Sequence, residues 1–306
     1  MKKTQTFYWI AFLLFLSFKG MEPVSARETL HIVSYNILDG FDGQTDTCRR
    51  DRFVAWMRTQ DPDVAALNEL VGFTEKDLQT LAASYGHPYV AIVKEEGYPV
   101  GLTSKTPITV VKKQIEGFWH GMLHARTEGL DVIVTHLSPF SWTFRLKEAR
   151  AITAYIRENR LENCLVMGDF NAYVPFDADE VEQHASLQKN MQAWDREHPE
   201  YGNLRDGRFD YSALSQFLAA GFTDICQMFV APSERMSYPT AFSRGRKWGD
   251  PGLTEDRERL DFIWVSPALV SRCTGAAVHN GEDTDTLSDH YPVSVDLKPL
   301  PPETGK

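Results

Sequence analysis

The run Leu165-Val166-Met167-Gly168-Asp169-Phe170-Asn171 ends an apolar stretch abruptly in Gly, Asp and Asn. It reads as a buried strand that delivers a carboxylate and a carboxamide to the edge of a sheet, with Phe170 between them pointing back into the core. Asp169 and Asn171 lie two residues apart, so they share one face of an extended chain. Such a pair can hold a metal-bound phosphate, orient a water, or cap the next turn. By itself the run leaves all three open.

The same ending recurs along the chain. Apolar stretches run into Asn36, Glu69, His136 and the pair Asp289-His290, and Asp261 stands near the start of another. In layered α/β proteins, sites gather where strand ends meet loops. Glu69 is a hard oxygen ligand; with Asn36, Asp289 or waters it can hold Mg²⁺, which often takes only one or two carboxylates. His290 can accept a proton near neutral pH, and Asp261 can fix its tautomer and stabilise its charged form. His136 would be a second acid/base group, suited to protonating a leaving oxygen. Plainer readings stand beside these: Glu69 as a cap, His136 and His290 as core histidines bonded to backbone. Arg259, next to Arg257 and Glu258, either approaches a phosphate or lies in water.

The elements that must position these groups follow from periodicity. Strands are expected over 30–35, 64–67, 89–93, 101–104, 108–115, 118–126, 130–135, 164–167, 260–265 and 291–297. Helical spacing covers 49–60, stopped by Asp61-Pro62, and also 74–84, 142–159 and 211–220, the last ended by Gly221. A further amphipathic helix is expected around 180–194. Helices alternate with strands, yet several strand pairs lie close in sequence. Mixed sheets covered by helices fit this better than a purely parallel sheet.

Bulk properties bound the setting. Lys2 and Lys3, the mostly apolar run 9–18 and Val24-Ser25-Ala26 have the form of an export signal cleaved after Ala26. The alternative is an uncleaved anchor, but the run is shorter than the roughly 20 residues a membrane span needs. Residues 1–26 are therefore set apart as a signal peptide, 27–298 as one domain, and 299–306 as a flexible tail; the mature protein is expected to be secreted or periplasmic. The formal net charge is −10. Removing residues 1–26, with three basic groups and one acidic, takes it to about −12. An acidic chain has no global attraction to nucleic acid or anionic lipid, although a metal ion can still bring a phosphate to it. Cys48, Cys164, Cys226 and Cys273 match no zinc spacing. They allow up to two disulfides in three pairings, or, for Cys164 and Cys226, simple core positions.

Six segments together carry a resemblance: Ser34-Tyr35-Asn36, Leu67-Asn68-Glu69, Thr135-His136-Leu137, Gly168-Asp169-Phe170-Asn171, Arg259-Leu260-Asp261-Phe262-Ile263 and Ser288-Asp289-His290-Tyr291-Pro292. In this order the chain resembles the endonuclease/exonuclease/phosphatase superfamily, in its deoxyribonuclease- and sphingomyelinase-like branch. The resemblance implies a four-layer α/β/β/α sandwich of two packed mixed β-sheets flanked by helices. It also implies a divalent-metal phosphoesterase using Mg²⁺, or Mn²⁺ or Ca²⁺. Asn36, Glu69 and Asp289 would serve the metal, Asp169 and Asn171 would orient water and phosphate, and Asp261 with His290 would activate the water or stabilise developing charge. His136 would protonate the leaving group, and Arg259 would bind substrate. Apurinic-site endonucleases usually place a tyrosine just after the strand carrying His136; Leu137-Ser138-Pro139-Phe140 departs from that. The implied partner is a phosphate ester: nucleic acid, phospholipid or a phosphorylated small molecule, with no protein partner evident. Substrate choice is expected to lie in 172–206 and in 243–258, where Arg244, Arg246, Lys247 and Trp248 mix basic and aromatic character. The rival reading is a catalytically silent binding protein on the same fold.

Overall fold

The computed structural model describes residues 28–243 and 257–301. The expected export signal, nearly all of the 243–258 loop with Arg244, Arg246, Lys247 and Trp248, and the end of the tail lie outside the described residues.

In chain order the described strands are β1 (Leu30–Asn36), β2 (Val64–Asn68), β3 (Tyr89–Ile92), β4 (Gly101–Ser104), β5 (Thr109–Gln114), β6 (Met122–Thr127), β7 (Leu130–His136), β8 (Cys164–Asp169), β9 (Thr223–Asp224), β10 (Asp261–Val265), β11 (Cys273–Val278) and β12 (Val293–Leu297). They form two six-stranded sheets, ordered β11-β12-β1-β2-β4-β3 and β5-β6-β7-β8-β10-β9. Each sheet is mixed: β1 and β2 run parallel, as do β7 and β8, and each parallel pair has antiparallel neighbours. The expected sandwich of two mixed sheets flanked by helices is therefore what the chain adopts.

The helices are α1 (Leu38–Gln44), α2 (Thr47–Gln60), α3 (Glu75–Ser84), α4 (Trp142–Asn159), α5 (Ala178–Gln183), α6 (Ala185–Glu197), α7 (Ser212–Ala219), α8 (Ile225–Phe229) and α9 (Pro267–Val270). Local chemistry sets their ends. Thr74 and Asp77 form a reciprocal capping box at the start of α3. The Ser141 hydroxyl accepts the Phe144 N–H at the start of α4, and Arg160 closes that helix in a left-handed conformation. Helix α1 is unusual, with φ positive throughout its interior, between 48° and 62° from Asp39 to Gly43. Left-handed turns cost L-residues energy and need outside support. The buried Arg49 guanidinium supplies it by donating to the Ile37 and Leu38 carbonyls at 2.6 and 3.0 Å.

Strand alternation sorts side chains into layers. Leu30, Ile32, Val132, Val134, Leu165, Met167, Ile263 and Val265 pack between the sheets. Val33, Tyr35 and Leu67 pack under α2 and α3 on one outer face, and Ile133, Val166, Phe170, Phe262 and Trp264 pack with α4 and α7 on the other. The same parity puts Asn36, His136, Asp169 and Asp261 on the inter-sheet face, at strand ends where apolar packing stops.

The structure corrects several expectations. The strand predicted over 118–126 begins only at Met122, because Gly117 and Gly121 have positive φ (82° and 114°) and turn the intervening residues out of the sheet. The helix predicted around 180–194 is two helices meeting at His184. Strand β11 carries no clear alternation and is absent from the strands expected on periodicity. All four cysteines are free thiols. Cys226 belongs to the inter-sheet core, Cys164 to the outer core of the second sheet, and Cys48 is exposed on α2, so these three sit in different layers.

Candidate active site

Asp169 is the centre of the arrangement. Strand register pairs it with His136 of β7 on one side and with Asp261 of β10 on the other. Its Oδ2 lies 3.1 Å from Asn36 Nδ2, 3.4 Å from His136 Nε2 and 3.7 Å from His290 Nε2. Its Oδ1 accepts the Asn171 N–H at 2.9 Å, closing a turn that requires Asn171 at φ 47°. The Gly168 preceding it is a steric necessity. At φ 141°, a Cβ there would stand 1.9 Å from the Thr135 carbonyl oxygen. That carbonyl also accepts the Asn68 amide at 2.8 Å, which stitches the two sheets together beneath the site.

Sheet one contributes the other half. Asn36 donates to Glu69 Oε1 at 3.1 Å as well as to Asp169, so one amide braces two acids brought together from different sheets. Glu69 follows β2 in a left-handed conformation, and its Oε2 accepts the Asp39 N–H of α1 at 2.8 Å. Asp289 and His290 enter before β12. His290 Nδ1 is 2.7 Å from Asp261 Oδ2, the dyad expected across distant sequence. Eight of the predicted residues thus converge: Asn36, Glu69, His136, Asp169, Asn171, Asp261, Asp289 and His290. Glu69, His136, Asp169, Asn171, Asp289 and His290 line a cavity of about 420 Å³, in the size range of small-molecule sites. Asn36 and Asp261 support it from behind.

Arg259 does not join them. It is 1% exposed, and its guanidinium is held by Asp177 and Asp224, each at 2.6 Å. A side chain committed to two buried carboxylates has no charge left for a substrate, and it stands outside the cavity lining. The expectation of a substrate-binding role is corrected to a structural one.

Electrostatics follow from crowding acids below the surface. Burial raises the carboxyls of Glu69, Asp169 and Asp289 above the usual range; the charge of Asp289 raises Glu69 further, while His290 pulls Asp169 and Asp289 back. Burial alone would lower His290, but Asp261, Asp169 and Asp289 outweigh it and hold the imidazole protonated well above its ordinary range. His136 is pushed the other way, by burial and then by His120 and His290. Glu69 and Asp289 present hard oxygens to the cavity and repel each other, a donor set that a divalent cation would satisfy. Asp169, Asp261 and His290 also place ligand atoms within 4.8 Å of one another. In that group the surrounding acids hold His290 protonated, and an imidazolium has no lone pair for a cation, so Glu69 with Asp289 is the better fit.

Several lining residues carry no sequence signal of the kind that marks the strand ends: Tyr98, Trp119, His120, Tyr173, Tyr238 and Glu258. His120 stacks on His136 with centroids 4.1 Å apart, and burial pushes its imidazole down to about 3. What does mark it is Gly117-Phe118-Trp119-His120-Gly121, two glycines bracketing aromatic residues at the start of a strand. Glu258 bonds the Tyr173 hydroxyl.

Comparison with known proteins agrees with this architecture. An AP endonuclease from Archaeoglobus fulgidus superposes with a TM-score of 0.63 at 18% identity, over 89% of this chain and 100% of that one. The 3′ phosphatase NExo from Neisseria, bound to product DNA hairpin, gives 0.63 at 17%, over 88% and 99%. D. rerio TDP2 complexed with single strand DNA product gives 0.60 at 18%, over 89% and 100%. At such identities the likeness is one of fold. No curated protein matches the sequence. The sequence model of the Endonuclease/Exonuclease/phosphatase family matches residues 33–290, a span that holds every residue of the site, and the chain belongs to that family.

Proposed function

We propose that the protein is a divalent-metal-dependent phosphoesterase that hydrolyses a phosphodiester, or phosphomonoester, bond by in-line attack of a water. Membership of the family supports a hydrolase acting on phosphate esters. The observation that carries the reading is Asp169, buried between two imidazole Nε2 atoms at 3.4 and 3.7 Å and braced to Glu69 through Asn36. Glu69 and Asp289 would hold the cation, which when bound neutralises phosphate oxygens and supports the leaving oxygen. Asn36, expected beside them as a ligand, would brace Glu69 instead, since its Oδ1 accepts the Leu38 N–H and its amide donates to Glu69 and Asp169.

The chain's own groups do the rest. Asp261 accepts the Nδ1–H of His290 and turns Nε2 toward the cavity. A protonated His290 there donates to a phosphate oxygen as negative charge develops. Asp169, fixed by Asn36 and by the Asn171 N–H, orients the attacking water and takes its proton. His136, across Asp169 from the Asp261–His290 dyad and kept neutral by burial, faces the leaving side and offers the leaving oxygen a hydrogen bond from Nε2. Both histidines and all the acids are present, which counts against a silent binding protein, since loss of activity usually begins with one of them.

The test is hydrolysis of bis(p-nitrophenyl) phosphate with Mg²⁺, Mn²⁺ or Ca²⁺, repeated with chelator. Turnover that the chelator abolishes and added cation restores is expected. Silence with every cation would turn the reading to the binding protein. We also propose export, on the strength of Lys2-Lys3, the apolar run and Val24-Ser25-Ala26. The mass of the protein recovered from outside the cytoplasm should correspond to residues 27–306; an intact N-terminus would refute cleavage after Ala26.

A further inference from the structure

One wall of the cavity is aromatic, and nothing in the reaction just described uses it. Trp119 stands edge-on to Phe140 (5.7 Å), Phe144 (5.5 Å) and Tyr201 (6.4 Å). Phe140 in turn stacks on Tyr201 at 4.9 Å and on Trp194 at 5.7 Å. These rings come from three segments outside the motif strands: the Gly117–Gly121 turn, the stretch after His136, and α6 with the turn that follows it. Unlike Phe170, Phe217 and Phe262 of the core, they are partly open to solvent, and Tyr201 is 39% exposed. Trp119 and Phe140 line the catalytic cavity itself.

Buried charge holds the wall in place. Glu148 of α4 accepts the Trp119 N–H at 2.7 Å and the Ser138 N–H at 2.9 Å. Arg145, one turn earlier, donates to the Ser138 carbonyl at 3.0 Å and to Asn203 at 2.9 and 3.1 Å. Burying two charged side chains is costly, and here they fix the three segments relative to one another. Beside the wall, His120 is 6% exposed and keeps Nε2 without a hydrogen-bond partner. An unpartnered buried nitrogen next to a rigid ring surface suits a planar ligand with polar atoms on its edge better than an alkyl chain.

We propose that Trp119 and Phe140, backed by Tyr201, form with His120 a subsite for a planar aromatic ring carried on the leaving side of the phosphate ester. Trp119 and Phe140 line the cavity together with the stacked His120 and His136, and β7 carries His136 on the side of Asp169 away from Asp261, which places the ring with the departing group. The subsite rests on the phosphoesterase reading for its phosphate end only. Two sources share this chemistry, a nucleobase and a phenolic ring.

Binding, measured by calorimetry on the full mature chain with Mg²⁺, separates the possibilities. Adenosine 5′-monophosphate and phenyl phosphate represent the two sources, and glycerol 3-phosphate is the ring-free control. At least one ring-bearing probe should bind about tenfold or more tightly than the control, as expected for one stacking contact. That ratio should fall toward one in Trp119→Ala and in the surface variant Tyr201→Ala, and return in Trp119→Phe. Preference for the nucleotide assigns a base, and preference for phenyl phosphate assigns a phenol. Equal binding of all three probes overturns the subsite even if esters are hydrolysed. A tenfold ring preference in a protein that hydrolyses nothing supports the subsite while removing the phosphoesterase reading. Binding to sphingomyelin vesicles with no ring preference among the soluble probes also overturns it.

Discussion

Replacing His290 with Ala removes a group that Asp261 has already oriented, so kcat should fall by about 10²- to 10⁴-fold. Asp261 also loses its 2.7 Å partner, so the melting temperature should fall as well, and rates are compared where both proteins are folded. Steady-state rates beside a melting curve check this, and retention of most activity would remove His290 from the mechanism. Arg259→Met should act through stability alone. It strands Asp177 and Asp224, both buried, and should cost roughly 3–5 kcal/mol of stability. If instead it raised KM at unchanged stability, the structural role assigned to Arg259 would be wrong. The two residues look alike in the sequence, each a charged group beside a strand. What separates them is that the fold leaves His290 lining the cavity, while the Arg259 guanidinium is enclosed between two buried aspartates.

At the scale of the element, the decisive feature is the end of β8. Gly168 lets β8 pass against β7 so closely that any side chain would meet the Thr135 carbonyl. Gly168→Ala should therefore lower unfolding free energy by roughly 3 kcal/mol, through overpacking and an unfavourable φ. It should also disturb Asp169 directly, so the folded fraction loses activity. Chemical denaturation with activity on the same samples distinguishes the two effects, and an alanine variant of normal stability would contradict the geometry. Alternation makes the strand and the inward turn of Phe170 legible in the sequence. The role of the glycine is not legible there, since the carbonyl it avoids lies 33 residues away on another strand. For the same reason the Gly117–Gly121 turn has the look of a strand: its aromatic residues are kept out of a sheet by backbone conformation, and hydrophobicity alone does not report that.

At the scale of the molecule, buried ionisable groups link stability to pH and to metal. His120 and His279, pushed by burial to about 3 and about 4, stay neutral in the fold while the unfolded chain takes up protons near 6.5. Their contribution is complete above that pH and is lost as pH falls toward their folded values. His279→Asn should therefore show a shallower loss of melting temperature between pH 6.5 and 4 than the wild type; an identical slope would refute the linkage. The site acids act with the opposite sign. Glu69, Asp169 and Asp289 are raised by burial, so the metal-free fold is favoured while they hold protons and loses that advantage as pH rises through their folded values. A divalent cation should replace those protons. Mg²⁺ is expected to raise the melting temperature of chelator-treated protein more at pH 8 than at pH 5, and an equal effect at both would argue against binding among these carboxylates.

The sequence by itself determined the layered α/β architecture, because strand and helix periodicities are local and each strand's buried face is written in alternate residues. Strand-end position in the sequence also picked out eight residues that the fold brings together: Asn36, His136, Asp169 and Asp261 because they share the inter-sheet parity, and Glu69, Asn171, Asp289 and His290 in the loops beside strand ends. Only the tertiary structure decided that Arg259 is sealed between two aspartates, that the four cysteines stay free thiols, and that His120 lies against His136. It alone gathered Trp119, Phe140 and Tyr201 into one aromatic cluster, two of whose rings line the cavity. These outcomes depend on contacts between segments distant in the chain, fixed by packing and by hydrogen bonds to backbone atoms, and neither is encoded in the pattern of any one segment.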